Sequence, residues 1–176
     1  MARPVDADRA RSFPPLVGAA PRVLILGSLP GRVSLSAGEY YAHPRNLFWD
    51  LVGKYTGVSR SMPYAKRMEA LAARGVALWD VVQEARRPGS LDASIEFATA
   101  RHNDIASLIL AQATLRAVAF NGATAARLFT RQVLPQLGER AATLRLLSLP
   151  STSPAHASLS LAAKRAAWQR IVDQLD

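Results

Sequence analysis

Val23-Leu24-Ile25-Leu26-Gly27-Ser28-Leu29-Pro30-Gly31 is the stretch from which the rest of the chain can be read. Four consecutive branched apolar residues have the length and character of a parallel strand buried on both faces. Glycine, serine and proline then stop the run and expose backbone in a tight loop. Ligands of open α/β sheets bind beyond the carboxyl ends of strands, which makes this loop a candidate site. The later segment Tyr40-Tyr41-Ala42-His43-Pro44-Arg45-Asn46-Leu47-Phe48-Trp49 carries aromatic faces, an imidazole, an amide and a guanidinium. Those are the groups that a flat polar ring requires.

Three further apolar runs bounded by turn signals, Val76 to Trp79, Ala117 to Phe120 and Leu144 to Leu149, read as core strands. Helical spacing fills the gaps. Pro44 suits the first turn of a helix running through Phe48, Trp49, Val52 and Tyr55. Ala65 to Ala73, Asp104 to Ala111 and Ala123 to Val133 follow. A last segment, capped by Ser158 or Ser160, puts Leu161, Trp168, Ile171, Val172 and Leu175 on one stripe. Strands alternating with helices predict a three-layer α/β/α sandwich around a short, mainly parallel four-stranded sheet. No repeat or linker divides the chain, so residues 21–176 are expected to form one domain after an irregular arm over residues 1–20. Arg86-Arg87-Pro88-Gly89-Ser90 reads as the clearest interior loop.

With 176 residues, 49% of them hydrophobic and 20% charged, the composition is that of a globular domain with a substantial core. No stretch is long and apolar enough to span a bilayer, and no signal-peptide core follows Met1. The expected location is the cytoplasm of a bacterial-type cell, with use at the nucleoid, and a monomer is expected. There is no cysteine, so disulfides and thiolate metal sites are excluded. The net charge is +9, and Lys54, Lys66 and Lys164 are the only lysines. The excess is therefore arginine, which forks onto phosphate oxygens and suits a polyanionic partner.

Parallel strands bring their carboxyl ends to one edge, so Gly27 to Gly31, Asn121-Gly122 and Pro150 to His156 are expected to converge. Those three loops contain no carboxylate cluster, and His43, His102 and His156 lack the spacing of metal ligands. No Gly-Lys-Ser or Gly-Lys-Thr phosphate loop follows the first strand, and no Gly-x-Ser-x-Gly elbow is present. Neither a metal nor a cofactor is implied. What remains is the binding of a base-like ring and the handling of phosphates.

Three segments in order, Gly27-Ser28-Leu29-Pro30-Gly31, Tyr41 to Trp49 and Leu149-Pro150-Ser151-Thr152-Ser153-Pro154, resemble the motifs of the uracil-DNA glycosylase superfamily. The set is most similar to its hypoxanthine (deoxyinosine) group, and the middle segment to its mismatch-specific branch. With Val76-Ala77-Leu78-Trp79-Asp80-Val81 and Phe120-Asn121-Gly122, the likeness spans about residues 21 to 175. It implies a monofunctional DNA glycosylase of base excision repair. Such an enzyme flips a deaminated base, uracil or hypoxanthine, out of DNA and hydrolyses its N-glycosidic bond.

The resemblance also implies roles. Many relatives carry Asp or Asn at the position of Leu29 to handle the water, which leucine cannot do, so Asn46 becomes the catalytic candidate. Gly27, Ser28, Leu29, Tyr41, Phe48 and Asn121 are expected to bind the base. Tyr41 would stack on it and Asn121 read its edge, which leans slightly toward uracil. Phe48 and Trp49 are read mainly as core. Arg45, Ser151, Thr152, Ser153 and His156 are expected at the DNA, while His43 supports the Tyr41 loop. Two other readings compete: a non-catalytic binder of damaged DNA with the same fold, and a hydrolase of free nucleosides.

Overall fold

The computed structural model describes residues 8–176. Four parallel strands form the central sheet in the order β3-β2-β6-β7, with β2 at Val23–Gly27, β3 at Val76–Asp80, β6 at Ala117–Asn121 and β7 at Arg145–Leu149. The pairing is in register throughout: Gly27 lies opposite Asp80, and Asn121 opposite Leu149. This is the expected three-layer sandwich, and each run ends within a residue of its sequence boundary.

Because successive residues of a strand face opposite sides, the sheet feeds two cores. Leu24, Leu26, Val118 and Phe120 enter one of them. They meet Ile105 and Ile109 of α4 (Ile105–Ala111) and Leu128 and Phe129 of α5 (Ala123–Gln132). Val23, Ile25, Val76, Leu78, Ala117 and Ala119 enter the other. That face is covered by α2 (Phe48–Thr56), α3 (Tyr64–Ala73) and α6 (Leu161–Gln169), which supply Trp49, Val52, Leu71 and Trp168. Each such side chain, fully buried, contributes about 1.5–3 kcal/mol.

Local chemistry sets the helix ends. Asp104 accepts from the Ser107 N–H and caps α4; Ser160, rather than Ser158, does the same for α6 through Ala163. The last stripe is only partly used: Trp168 and Ile171 are buried, whereas Leu161 is exposed. Pro44 does not open α2. It sits in a turn, and the helix begins at Phe48, whose N–H is taken by the Asn46 side chain. The short α1 (Arg32–Ala37) was not expected from sequence.

A second, small antiparallel sheet joins β1 (Arg9–Arg11), β4 (Val82–Arg86) and β5 (Arg101–His102). It corrects two expectations. The irregular arm contains a strand at Arg9–Arg11, while its residues 1–7 lie outside the described residues. The interior loop begins only after Arg86. These strands are short and polar, so no apolar run announces them. Ala10 and Ala85 face the core, and an Arg9–Glu84 ion pair at 2.6 Å closes the outer side.

Gly122 holds the third and fourth strand ends together. Its φ is +100°, and a Cβ there would lie 3.2 Å from the Ser151 Cβ. Gly122→Ala is expected to cost roughly 1–3 kcal/mol. At roughly 2–4 °C per kcal/mol for a domain of this size, calorimetry reads that as a fall in Tm.

Candidate functional site

Strand parity places the chemistry. Gly27, Asp80 and Asn121 terminate their strands on the face of Ile25, Leu78 and Ala119, the side occupied by the Tyr40–Phe48 segment. A cleft of about 570 Å³ opens there, within the range of small-molecule sites. It is lined by the β2 loop, by Tyr40, Tyr41, His43 and Asn46, by Asp80 and Asp92, and by Asn121 and residues 151–156.

The aromatic wall is built under constraint. The Tyr40 peptide is gripped at both ends: its N–H donates to the Tyr64 hydroxyl at 3.0 Å, and its carbonyl accepts from the Trp49 indole at 3.0 Å. Buried Arg67 braces both rings, with its guanidinium carbon 4.6 Å from the Trp49 ring centre and 5.2 Å from that of Tyr64. It also pairs with Glu39 at 2.9 Å. The grip holds the next residue, Tyr41, at φ 55°, the only positive φ at a non-glycine among the described residues. That backbone state is unfavourable for a bulky side chain and persists only where its surroundings enforce it. One face of the Tyr41 ring stacks on Phe48 with centroids 3.9 Å apart. Tyr41 also lines the cleft.

Beneath this wall lies a carboxylate. Asp80 is 3% exposed, and a Cβ on residue 27 would sit 2.6 Å from its Oδ1 and 3.4 Å from the Tyr41 hydroxyl. Only glycine lets these groups meet. The Asp80 Oδ2 and the Tyr40 hydroxyl are both buried, and the hydroxyl lies beside the carboxyl as its hydrogen-bond donor. Burial pushes the Asp80 carboxyl up to about 7; the Asp92 charge adds to the shift, while the Tyr40 hydroxyl and the Arg87 charge oppose it. Burial, reinforced by Asp80, also raises the Tyr40 and Tyr41 hydroxyls, which stay protonated.

Arg87, 2% exposed, fastens the β2 loop. Its guanidinium donates to the Leu29 carbonyl at 3.0 Å and to the Pro30 carbonyl, and the charges of Asp92 and Asp80 offset the effect of burial on it. Ser28 is fixed by a 2.5 Å hydrogen bond to Asp92. Thr152, completely buried, joins three segments. Its N–H and hydroxyl bind both ends of the Asn121 amide at 2.9 Å, and its carbonyl accepts from the Leu47 N–H at 3.0 Å.

The structure thus gathers Gly27, Ser28, Leu29, Tyr41, Asn46, Asn121, Ser151, Ser153 and His156 around one cleft. Three expectations change. Phe48 is wholly buried and does not line the cleft; it backs Tyr41. Thr152 is an internal brace with no exposed surface for DNA. Asn121 has both amide ends engaged by Thr152, leaving one lone pair and one N–H, the latter beside the Tyr41 hydroxyl. Arg45 is exposed outside the lining, with its N–H donated to the His43 Nδ1 at 3.1 Å. The Asn46 Oδ1 accepts from the Phe48 N–H at 3.0 Å, while its NH₂ has no partner among the described residues. Sequence reasoning missed Asp80, Asp92 and Arg87. Asp80 was nonetheless visible as a lone charge closing an apolar strand.

Comparison with known proteins places this architecture and cleft among the DNA glycosylases. The model of the uracil DNA glycosylase superfamily matches residues 14–174, and the chain belongs to that family. It is similar to the hypoxanthine DNA glycosylase of Methanosarcina barkeri, 38% identical over 65% of this chain and 72% of that protein. The hypoxanthine DNA glycosylase of Methanosarcina acetivorans is 37% identical over 64% of this chain and 70% of its own length. Among solved structures, the fold resembles the solution NMR structure of a Methanosarcina acetivorans protein provisionally assigned as a uracil DNA glycosylase. The TM-score is 0.78 at 32% identity, covering 95% of this chain and 98% of that one.

Arg87→Met is expected to destabilise by roughly 3–5 kcal/mol, because it strips a buried cation from two carbonyls and two neighbouring carboxylates. Urea unfolding measures the loss.

Proposed function

We propose that this DNA glycosylase hydrolyses the N-glycosidic bond of a deaminated base extruded from DNA, hypoxanthine foremost, and leaves an abasic site. The convergence of the motif loops on one cleft at the sheet edge carries this reading. The hypoxanthine activity named for the two Methanosarcina relatives supports the choice of base. Uracil is the second candidate, through the one N–H and one lone pair left on Asn121.

A base inside a duplex is out of reach, so it must be flipped and read at its edge. Tyr41, in the cleft lining, supplies a stacking surface, a contact that contributes about 1–3 kcal/mol per base. Departure of the base leaves an oxocarbenium-like sugar that water captures. In place of an acidic residue, Leu29 offers nothing to that water. Asn46 has its carbonyl oxygen anchored on the start of α2 and its NH₂ without a partner among the described residues, and it orients the water as an amide can, without acting as a strong base. Among the described residues no lysine lines the cleft, and Lys164 is buried with its Nζ on the His156 carbonyl. An imine with the sugar therefore has no donor there, which favours simple hydrolysis over strand cleavage. Arg45, Ser151, Ser153 and His156 stand where they can meet the flanking backbone, and the +9 charge favours that encounter.

Duplexes carrying hypoxanthine or uracil, incubated with the protein and then heated in alkali, test the reading through strand breaks at the excised base. Hypoxanthine excision is expected, and Asn46→Ala should slow its single-turnover rate by roughly 10²–10⁴-fold while salt-dependent DNA affinity persists. Absence of breaks with every deaminated base favours a non-catalytic binder. An undiminished rate in Asn46→Ala removes that residue from catalysis.

A further inference from the structure

Asp80 carries a charge that the account above leaves unused. It ends an interior-facing strand, lines the cleft and is 3% exposed; the Tyr40 hydroxyl lies beside its carboxyl, and its Oδ1 faces Gly27. Glycine at position 27 leaves room for its Oδ1. A buried carboxylate has about four acceptor sites, and leaving unpaired those that one hydroxyl cannot fill is costly to the free protein. A ligand with a matching donor would remove that cost.

We propose that Asp80 is a specificity-determining residue: its carboxylate accepts the ring N–H beside the oxo group of the extruded base, N1–H in hypoxanthine, and thereby refuses adenine. The proposal rests on the reading that the cleft takes a deaminated base. Deamination turns the N1 of adenine from a lone-pair acceptor into an N–H donor. Opposite an ionised carboxylate, hypoxanthine pairs, whereas adenine sets two acceptors against each other with both desolvated. A site built around one substrate N–H rejects the analogue lacking it by up to about 10⁴–10⁵-fold. Guanine shares the N–H, so Asp80 separates hypoxanthine from adenine and leaves guanine to other contacts.

The groups facing Asp80 are consistent with this role. Tyr40 and Tyr41 hold neutral hydroxyls beside it, Arg87 favours its ionised form and Asp92 opposes it, while His43 and His156 line the same cleft. Its carboxyl, pushed up to about 7 by burial, is ionised above that pH and protonated below it. Pairing with N1–H needs the ionised form. For hypoxanthine, kcat/KM should therefore fall about tenfold per pH unit as the medium is acidified below about 7. Protonated Asp80 can instead donate to adenine N1, so discrimination should narrow on the acid side.

The test compares the whole protein with Asp80→Asn on duplexes bearing hypoxanthine, N1-methylhypoxanthine or adenine, with 2′-fluoro versions for affinity. Wild type should excise hypoxanthine, leave the N1-methyl base at least about 100-fold slower, and show the acid limb. Asp80→Asn, which can turn either amide end to the base, should lose that limb. Its hypoxanthine-to-adenine affinity ratio should drop at least about 100-fold, with affinity for undamaged duplex retained. The inference is overturned if the variant keeps the wild-type ratio and pH profile. If the variant does not fold, equal wild-type rates on hypoxanthine and its N1-methyl form overturn it instead. A wild type that excises no deaminated base defeats the underlying reading, and this inference with it.

Discussion

The in-register parallel pairing of β3, β2, β6 and β7 is the constraint on which the site depends. It sets Gly27 beside Asp80 and Asn121 beside Leu149 at one edge. Strand parity then turns Gly27, Asp80 and Asn121 toward the same face. A one-residue slip of β3 would carry the carboxylate into the opposite core. The chemistry is thus a consequence of register, and register is enforced by two apolar cores that tolerate no shift.

On that edge the loops are held by buried polar groups, not by apolar packing alone. Arg87 ties the carbonyls of the β2 loop, Thr152 ties β6 to β7 and to the start of α2, and the Tyr64–Trp49 grip fixes the Tyr40 peptide. Every one of these bonds except that between the Asn121 amide and the Thr152 hydroxyl has a backbone partner, and so fixes a loop path more tightly than a contact between side chains could. The strained Tyr41 is the result, and its ring is aimed before any ligand arrives. Such preorganisation lowers the cost of ordering a flexible wall around an extruded base.

Much of this was legible in the chain. The four buried strands are continuous apolar runs, and the motif order placed the cleft before any coordinates. What escaped reading has physical reasons. The β1-β4-β5 sheet is short and charged, with only Ala10, Ala85 and Val82 turned inward, so no periodicity betrays it. Thr152 looked like a loop residue because its burial comes from contacts distant in sequence. Phe48 stands within a motif yet serves from behind, stacked on Tyr41. Asp80 and Arg87 are charges inside the fold, and sequence patterning assigns charges to the surface unless long-range pairing is known.

A crystal structure with a duplex containing a 2′-fluoro deoxyinosine, which resists hydrolysis, tests the central claim most directly. The account predicts the hypoxanthine ring outside the base stack, lying on Tyr41 with its edge toward Asp80. A complex in which the base stays stacked in the helix, or lodges away from the edge formed by Gly27, Asp80 and Asn121, would contradict it.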